Sequence, residues 1–187
     1  MANTSDIRNG LCIEFNNDIF QIIEFQHVKP GKGPAFVRTK VKAIVNGKNI
    51  DKTWRPGEKA EAVRVETRVY QYLYNDGEIY YLMHTDTYEQ VPINASQVER
   101  KGYFVDGQTC TVVVNADEES VLYAEPKDHI DVVIEKTDPG VRGDTAQGGS
   151  KPATIESGAT VNVPLFINEG EKIRVDTRTG EYIERAK

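Results

Sequence analysis

Two aromatic runs separated by a turn signal lie in the middle of the chain: Val69-Tyr70-Gln71-Tyr72-Leu73-Tyr74-Asn75-Asp76-Gly77-Glu78-Ile79-Tyr80-Tyr81-Leu82-Met83. Aromatic and β-branched residues are typical of strands. An Asp-Gly pair between two such runs is a strong short-range signal for a β-hairpin. The segment therefore predicts two antiparallel strands joined by a tight turn at Asp76-Gly77.

The same strand-like pattern continues on both sides of this hairpin. Apolar residues recur with short spacing in residues 19–23 and 36–41, and turn signals follow one another about every 8–12 residues. This spacing favours an all-β fold of barrels or sandwiches over βαβ units. No long amphipathic helix is visible, and only residues 95–100 are expected to form a short one. Further turn signals are Asn46-Gly47, Asp106-Gly107 and Thr179-Gly180.

The charge of the chain is unevenly distributed and suggests three modules. Residues 1–63 hold ten Lys and Arg against seven Asp and Glu, for a net charge of +3. Residues 64–127 have a net charge of −6, and residues 128–187 have −3. A Pro-containing connector, residues 124–128, separates the last two segments. A protein that coats nucleic acid needs a broadly basic surface, so this pattern predicts local RNA contacts on a mostly acidic body.

Several classes of protein are disfavoured by composition. No run approaches the roughly 18 consecutive apolar residues of a membrane span, and the first residues lack the basic and apolar regions of a signal peptide. We therefore expect a cytoplasmic protein. Cys12 and Cys110, the two cysteines of the chain, are far apart among apolar or β-branched neighbours. Two buried thiols are expected there, not a disulfide or a metal site.

One loop combines two prolines, two glycines and two lysines: Lys29-Pro30-Gly31-Lys32-Gly33-Pro34. The prolines restrict the shoulders of the loop, and the glycines free the backbone on either side of Lys32. Lys32 can then project from the module into a narrow space. An ordinary hairpin turn with a solvated lysine is the alternative. A phosphate-binding P-loop is excluded, because it requires Ser or Thr where Gly33 follows the lysine.

A second candidate site lies in residues 138–152, which are rich in Gly and nearly free of apolar side chains. This composition predicts a long exposed loop. Within it, Arg142, Gly143, Asp144 and Thr145 combine flexibility with groups that hydrogen-bond RNA. An integrin-type Arg-Gly-Asp motif is disfavoured because the chain is not expected to be secreted.

An enzymatic site cannot be assembled from the sequence. None of the histidines, His27, His84 and His129, has a second ligand at metal-binding spacing, and there is no Gly-x-Ser-x-Gly elbow. His84 is expected at a strand end. Asp117-Glu118-Glu119 is expected to be a solvated turn. The sequence therefore predicts no catalytic residue, no metal and no cofactor.

Four stretches follow one another over nearly the whole length of the chain: Asp6-Ile7-Arg8-Asn9-Gly10, the loop from Lys29 with Ala35-Phe36-Val37-Arg38, Val141-Arg142-Gly143-Asp144-Thr145, and residues 161–182. Together and in this order they resemble bacterial translation elongation factor P. The resemblance implies an N-terminal SH3-like (KOW-like) barrel, residues 1–63. It implies two OB-fold β-barrels, residues 64–127 and 128–187, in an L-shaped, tRNA-like arrangement.

The resemblance also implies a function. Members of this family bind the ribosome between the P and E sites, position peptidyl-tRNA and stimulate peptide-bond formation at polyproline stalls, without being enzymes. Lys32 would be the functional tip and the modified residue, supported by Lys29, Pro30, Gly31, Gly33 and Pro34. Arg142, Gly143, Asp144 and Thr145 would face the codon, and Tyr182 and Arg185 would contact tRNA.

The partners that the resemblance implies are the 70S ribosome, its RNA and the P-site tRNA, together with an enzyme that modifies Lys32. The protein is expected to be monomeric. Two alternatives stay open at this point. One is the divergent elongation-factor-P-like paralogue, which the well-formed Lys-Pro-Gly-Lys-Gly loop disfavours. The other is a stand-alone OB-fold protein for single-stranded nucleic acid, which is disfavoured because the tyrosine-rich strands lie in the acidic segment.

Overall fold

The computed structural model describes residues 2–3, 6–31, 33–139 and 149–186, and these form strands, turns and two short 3-10 helices without any α-helix. The all-β prediction is confirmed. The strands are β1 (Ala2–Asn3), β2 (Cys12–Phe15), β3 (Asp18–Val28), β4 (Phe36–Ala43), β5 (Asn49–Trp54), β6 (Lys59–Ala62), β7 (Val65–Asn75), β8 (Ile79–His84), β9 (Gln90–Asn94), β10 (Thr109–Asn115), β11 (Ser120–Pro126), β12 (His129–Thr137), β13 (Ser150–Ile155), β14 (Thr160–Pro164), β15 (Lys172–Asp176) and β16 (Glu181–Arg185).

The first six strands form one sheet in the order β1-β6-β2-β3-β4-β5. Alternation along β4 places Val37, Thr39 and Val41 inside and the residues between them outside, as the period of two in a half-buried strand requires. The core of this sheet consists of Ile7, Ile13, Phe20, Ile22, Val37, Val41, Ala43, Trp54 and Ala60.

The middle strands form a second sheet in the order β11-β10-β7-β8-β9. The predicted hairpin is confirmed, because β7 and β8 pair antiparallel on either side of Asp76-Gly77. The Asp76 carboxylate accepts hydrogen bonds from the backbone N–H groups of Glu78 and Ile79 at 3.0 and 2.8 Å, and Gly77 has φ +100°. A parallel bridge between Val98 and Ala124 joins the segment after β9 to β11, at the opposite edge of the sheet.

The last strands form a closed barrel in the order β12-β13-β14-β16-β15. All neighbours are antiparallel except β14 and β16, which meet in parallel at Asn162 and Glu181. Five strands with this closure are typical of the OB fold. The core is aliphatic: Ile130, Val132, Ile134, Ala153, Ile155, Val161, Val163, Ile167, Ile173 and Val175.

The contacts of the chain form two compact units, Met1–Thr67 with Val113–Tyr123 and Arg68–Val112 with Ala124–Lys187. The predicted module boundaries near residues 63 and 127 fall between strands β6 and β7 and between β11 and β12. The division into three modules stays a prediction.

Two details of the sequence analysis need correction. Residues 150–152 belong to β13 and not to the predicted loop, and Lys151 is 6% exposed, with its Nζ donating to the carbonyl of Asp138 at 2.6 Å. A lysine can bury its aliphatic stem while its ammonium finds an acceptor, so polar composition concealed the strand. The short helix expected in residues 95–100 is a single 3-10 turn, Ala95–Gln97.

Three smaller expectations hold. Both cysteines are free and buried. His84 ends β8, and its Nδ1 accepts from the backbone N–H groups of Asp86 and Thr87, each at 3.2 Å. Residues 117–119 are an exposed turn between β10 and β11.

No helix in the described part of the chain has the length and apolar character needed to cross a membrane.

Candidate functional site

The first candidate site is the end of the β3–β4 hairpin. The two strands pair from Phe20 opposite Ala43 to Val28 opposite Phe36, with a register shift between Ile22 and Glu24. Beyond that shift, residues 24–27 of β3 are all exposed. The outer half of the hairpin is therefore solvated on the β3 side, and the loop that it carries lies away from the apolar core.

The loop residues that the sequence singled out are exposed at this end: Lys29, Pro30, Gly31, Gly33 and Pro34. Gly33 has φ +115°, whereas Gly31 does not adopt a positive φ. A Cβ added at Gly33 would meet only Pro30, 3.9 Å away, so space is not limiting there. The requirement for glycine at this position is conformational. Lys32 itself lies outside the described residues.

A chain of hydrogen bonds fastens the outer half of the hairpin to the neighbouring strand. The Trp54 Nε1–H donates to Thr39 Oγ1 at 2.9 Å, and Thr39 Oγ1 donates to the carbonyl of Lys52 at 3.1 Å. Trp54 and Thr39 are 2% and 1% exposed, so the bond between their side chains is shielded from water. The chain joins β4 to β5 directly below the loop.

A charged group lies against the Trp54 ring in the same part of the hairpin. Lys52 Nζ lies 4.3 Å from the centre of the Trp54 ring and 3.1 Å from Glu58 Oε1. The other Glu58 oxygen accepts from the Arg55 backbone N–H at 3.1 Å. This backbone bond and, after it, the Lys52 ammonium lower the pKa of Glu58. A cleft of about 250 Å³ beside Trp54 is lined by His27, Val28, Lys29, Ala35, Phe36, Val37, Trp54 and Pro56.

The sequence analysis missed a row of cations on the same hairpin. Arg38, Lys40 and Lys42 occupy alternate positions of β4 and are exposed, while the residues between them are buried. Residues two apart in a strand share a face, so the signal was present in the alternation of residues 36–43. The row extends the basic character of the loop along the strand.

The structure describes the residues on either side of the second predicted site but not the site itself. Arg142, Gly143, Asp144 and Thr145 lie outside the described residues. On the near sides, Asp138 and Lys151 are joined by the hydrogen bond from Lys151 Nζ to the Asp138 carbonyl. The two ends of the segment that holds these four residues are therefore close together on the last barrel.

Tyr182 and Arg185 lie on β16, and both contact a residue that the sequence analysis gave no role. The ring of Phe166 meets Tyr182 edge-to-face with centroids 6.5 Å apart, and the Arg185 guanidinium carbon lies 5.0 Å from the Phe166 ring centre. Phe166 is 57% exposed. A groove of about 680 Å³ runs beside these rings, lined by Gly149, Ser150, Asn162, Val163, Pro164, Leu165, Phe166, Glu181 and Tyr182.

Two ion pairs on the last barrel change the acidity of their carboxyl groups. The Arg174 guanidinium contacts both oxygens of Asp131, at 2.7 and 3.2 Å, and lowers the pKa of that carboxyl group. The Arg178 guanidinium and backbone N–H likewise lower the pKa of Asp176. Paired in this way, the carboxylates stay ionised at lower pH than unpaired carboxylates do.

The described residues offer little for covalent or metal chemistry. Burial raises the pKa of the Cys110 thiol to about 12, which leaves almost no thiolate at neutral pH. Across residues 6–31, 33–139 and 149–186, no group of three or more His, Cys, Asp or Glu side chains could hold a metal ion.

Family models match the chain from end to end. The elongation factor P KOW-like domain matches residues 3–60, the elongation factor P OB domain matches residues 65–123, and the elongation factor P C-terminal domain matches residues 130–185. The chain belongs to the elongation factor P family. The resemblance found in the sequence is confirmed, together with the KOW-like and OB identities of its parts.

Two relatives match this chain over their full length. Elongation factor P of Flavobacterium psychrophilum is 49% identical over 187 residues, which cover all of both chains. Elongation factor P of a Thermoanaerobacter species is 50% identical over 185 residues, which cover 99% of this chain and all of the relative. As a member of the elongation factor P family, the chain is a translation elongation factor.

Among solved structures, a translation initiation factor eIF-5A family protein from Naegleria fowleri superposes with a TM-score of 0.53. The match covers 65% of this chain and 94% of the other, at 17% identity. At this identity the likeness shows a shared fold.

Proposed function

We propose that the chain binds the ribosome between the P and E sites, positions peptidyl-tRNA and stimulates peptide-bond formation at polyproline stalls. The observation that carries this proposal is the exposure of loop residues 29–31 and 33–34 at the end of a hairpin whose strand β4 is bonded to buried Trp54. A solvated loop on a hairpin that is bonded to the core is suited to entering a narrow cavity in RNA. Membership of the elongation factor P family supports the choice of the ribosome as that cavity.

The proposed role is orientation and not chemistry. Proline is a rigid and poor nucleophile, and ribosomal RNA is the catalyst. A factor that holds peptidyl-tRNA in a productive geometry lowers the entropic part of the barrier. The chain would therefore act as an accessory factor, a monomer working in the cytoplasm. Lys29 and Lys32 would donate to the RNA backbone, and an enzyme would extend the Lys32 side chain.

The last barrel would act at the other end of the tRNA. We assign Tyr182 and Arg185 to contacts with the tRNA, and Arg142, Gly143, Asp144 and Thr145 to the codon side. The exposed Phe166 and the adjacent groove support a contact surface at Tyr182 and Arg185, because aromatic rings and guanidinium groups are the usual platforms for RNA. The acidic middle segment would serve mainly as a spacer.

The test of this function is Lys32→Ala in a reconstituted translation system that makes a Pro-Pro-Pro peptide. We expect the variant to fold with an unchanged melting temperature, because its neighbours in the loop are exposed, and to lose rescue of the stall almost completely. Lys48→Ala is the matched control, since it removes the same charge from another exposed turn of the first sheet. Equal rescue by the Lys32 and Lys48 variants would refute the proposal.

A further inference from the structure

The guanidinium of Arg185 is held by Phe166 and Glu171. Its Nε donates to Glu171 Oε2 at 2.8 Å, and its Nη2 makes longer contacts with Glu171 Oε1 at 3.5 Å and with the Phe166 carbonyl at 3.4 Å. The Phe166 ring covers the guanidinium at 5.0 Å. Arg185 is nevertheless 55% exposed at the side chain, so it is fixed in place while it stays accessible.

The two residues that hold Arg185 are themselves fixed by the barrel. Glu171 Oε1 accepts from both the backbone N–H and the side-chain amide of Asn168, at 3.1 and 3.0 Å. The turn that carries Glu171 is bonded to β12 on both sides, Gly170 N–H to the Ile134 carbonyl and Ile134 N–H to the Glu171 carbonyl. Ile167, next to Phe166, is fully buried in the core. The support for Arg185 is therefore built on rigid backbone.

We propose that Phe166 and Glu171 are positioning residues that hold the Arg185 guanidinium ready for a phosphate of tRNA. This inference rests on the proposed function, in which Arg185 contacts tRNA. Within the part of the chain that the structure describes, the contacts of Arg185 use Nε and Nη2 and leave Nη1 for a phosphate oxygen. An arginine that is ordered before binding loses less rotamer entropy when the RNA arrives.

Substitution of Glu171 distinguishes two explanations of its effect on RNA binding, the positioning of Arg185 and the repulsion of phosphate. A carboxylate near a phosphate repels it, so neutralising Glu171 would strengthen RNA binding if charge were its only effect. If Glu171 positions Arg185, the same change releases the guanidinium and weakens binding. Glu184 provides the matched control. It carries the same negative charge as Glu171 and is adjacent to Arg185 in the chain, but its carboxylate pairs with Arg174.

The experiment measures the affinity of the full chain for ribosomes that carry peptidyl-tRNA in the P site, at several salt concentrations. The variants are Arg185→Ala, Phe166→Leu, Glu171→Gln and Glu184→Gln, together with the double variant of Arg185 and Phe166. Melting temperatures establish that each variant is folded. Rescue of the Pro-Pro-Pro peptide by the wild-type chain is recorded in the same preparations.

We expect Phe166→Leu and Glu171→Gln each to weaken binding about threefold, as the loss of one exposed cation–π or charge-assisted contact would. Both should also reduce the salt dependence toward that of Arg185→Ala, which loses about one phosphate contact. Phe166→Leu should have no further effect in the absence of Arg185. Glu184→Gln should not weaken binding.

Four outcomes would overturn the inference. Stronger binding by Glu171→Gln, equal to that of Glu184→Gln, would show that charge alone matters. Additive effects of Phe166→Leu and Arg185→Ala, or unchanged salt dependence with a lowered melting temperature, would show a structural role only. If Arg185→Ala bound these ribosomes with wild-type affinity, the contact between Arg185 and tRNA would contribute nothing to binding. Stall rescue by the wild-type chain tests the proposed function separately from each of these results.

Discussion

At the scale of single residues, the two glycines beside Lys32 differ in what the backbone demands. Gly33 adopts φ +115°, a conformation that a residue with a Cβ rarely takes, whereas Gly31 does not. Neither position is crowded, because a Cβ at Gly31 would meet nothing within 4 Å. The path of the loop past Lys32 thus depends on one glycine more than on the other.

Gly33→Ala is expected to impair stall rescue clearly more than Gly31→Ala. Alanine at Gly33 would either keep the loop conformation at a cost of about 1–3 kcal/mol or change the path of the loop. The two variants carry the same chemical change two residues apart, so each controls for the other. Rescue rates in the Pro-Pro-Pro assay, with melting temperatures, check this prediction. Equal rescue by both variants would show that the path at Gly33 does not matter.

The contribution of Asp176 to the free energy of unfolding is expected to depend on pH. Its carboxylate accepts from the Arg178 Nη2 at 2.6 Å and from the Arg178 backbone N–H at 2.9 Å, and these bonds lower its pKa below the ordinary value of 3.8. A depressed carboxyl pKa stabilises the fold above the ordinary value, and this contribution is lost as the pH falls through the lowered pKa.

Asp176→Asn should therefore lower the free energy of unfolding at neutral pH, and its difference from the wild type should shrink below about pH 4. Urea unfolding from pH 7 down to pH 2 measures this difference. Asp86→Asn, an equal change of charge in an exposed turn, is the control. A difference that stays constant over the whole range would contradict the assignment of the carboxylate as the source.

At the scale of elements, the hairpin that carries Lys32 depends on one buried hydroxyl group. Thr39 Oγ1 accepts from Trp54 and donates to the Lys52 carbonyl. Replacing it removes the acceptor of the buried indole N–H, and a buried donor without an acceptor has lost the hydrogen bond that water would otherwise supply. The shape of valine would fill the same space.

Thr39→Val is expected to reduce the free energy of unfolding by about 1–3 kcal/mol, the cost of leaving a buried donor or acceptor unsatisfied. Urea unfolding checks the value. Thr53→Val is the matched control, because Thr53 lies on the neighbouring strand opposite Arg38 and is exposed. If both variants unfolded at the same urea concentration, the buried hydroxyl would contribute nothing to the fold.

At the scale of the molecule, Arg100 links the middle strands to the last barrel within the larger compact unit. This residue follows the Val98 bridge, has φ +49°, and is bonded to four groups at the start of the last barrel and around it. Its Nη1 donates to Thr177 Oγ1 at 2.6 Å, and its Nη2 donates to Glu125 Oε2 at 2.7 Å. The Gln108 side chain adds a bond to the Asp131 carbonyl at 2.6 Å.

Arg100→Ala should destabilise this unit by about 2 kcal/mol, because it leaves partly buried Glu125 and buried Thr177 without their cationic partner. It should also separate the melting of the middle sheet from that of the barrel. Scanning calorimetry measures both effects. Lys101→Ala, the loss of an adjacent and exposed cation, is the control. An unchanged single transition in the Arg100 variant would show that other contacts hold the unit.

Much of the fold was predictable because its signals are local. The Asp76-Gly77 turn, the alternation in residues 36–43 and the buried cysteines follow from the preferences of neighbouring residues. Lys151 was not predictable, since its burial depends on an acceptor, the carbonyl of Asp138, thirteen residues away. Phe166 and Glu171 were missed for the same reason, because neither shows its contact with Arg185 in its own surroundings.

The sequence by itself determined the all-β class, the family and the loop that carries Lys32. These properties depend on turn residues, on strand periodicity and on motifs in a constant order, all of which can be read along the chain. Only the tertiary structure decided which side chains hold which: Trp54 with Thr39, Arg185 with Glu171, and Arg100 with Thr177, 77 residues apart. A hydrogen bond requires two atoms within about 3 Å, and strand pairing sets such distances between residues that the sequence keeps apart.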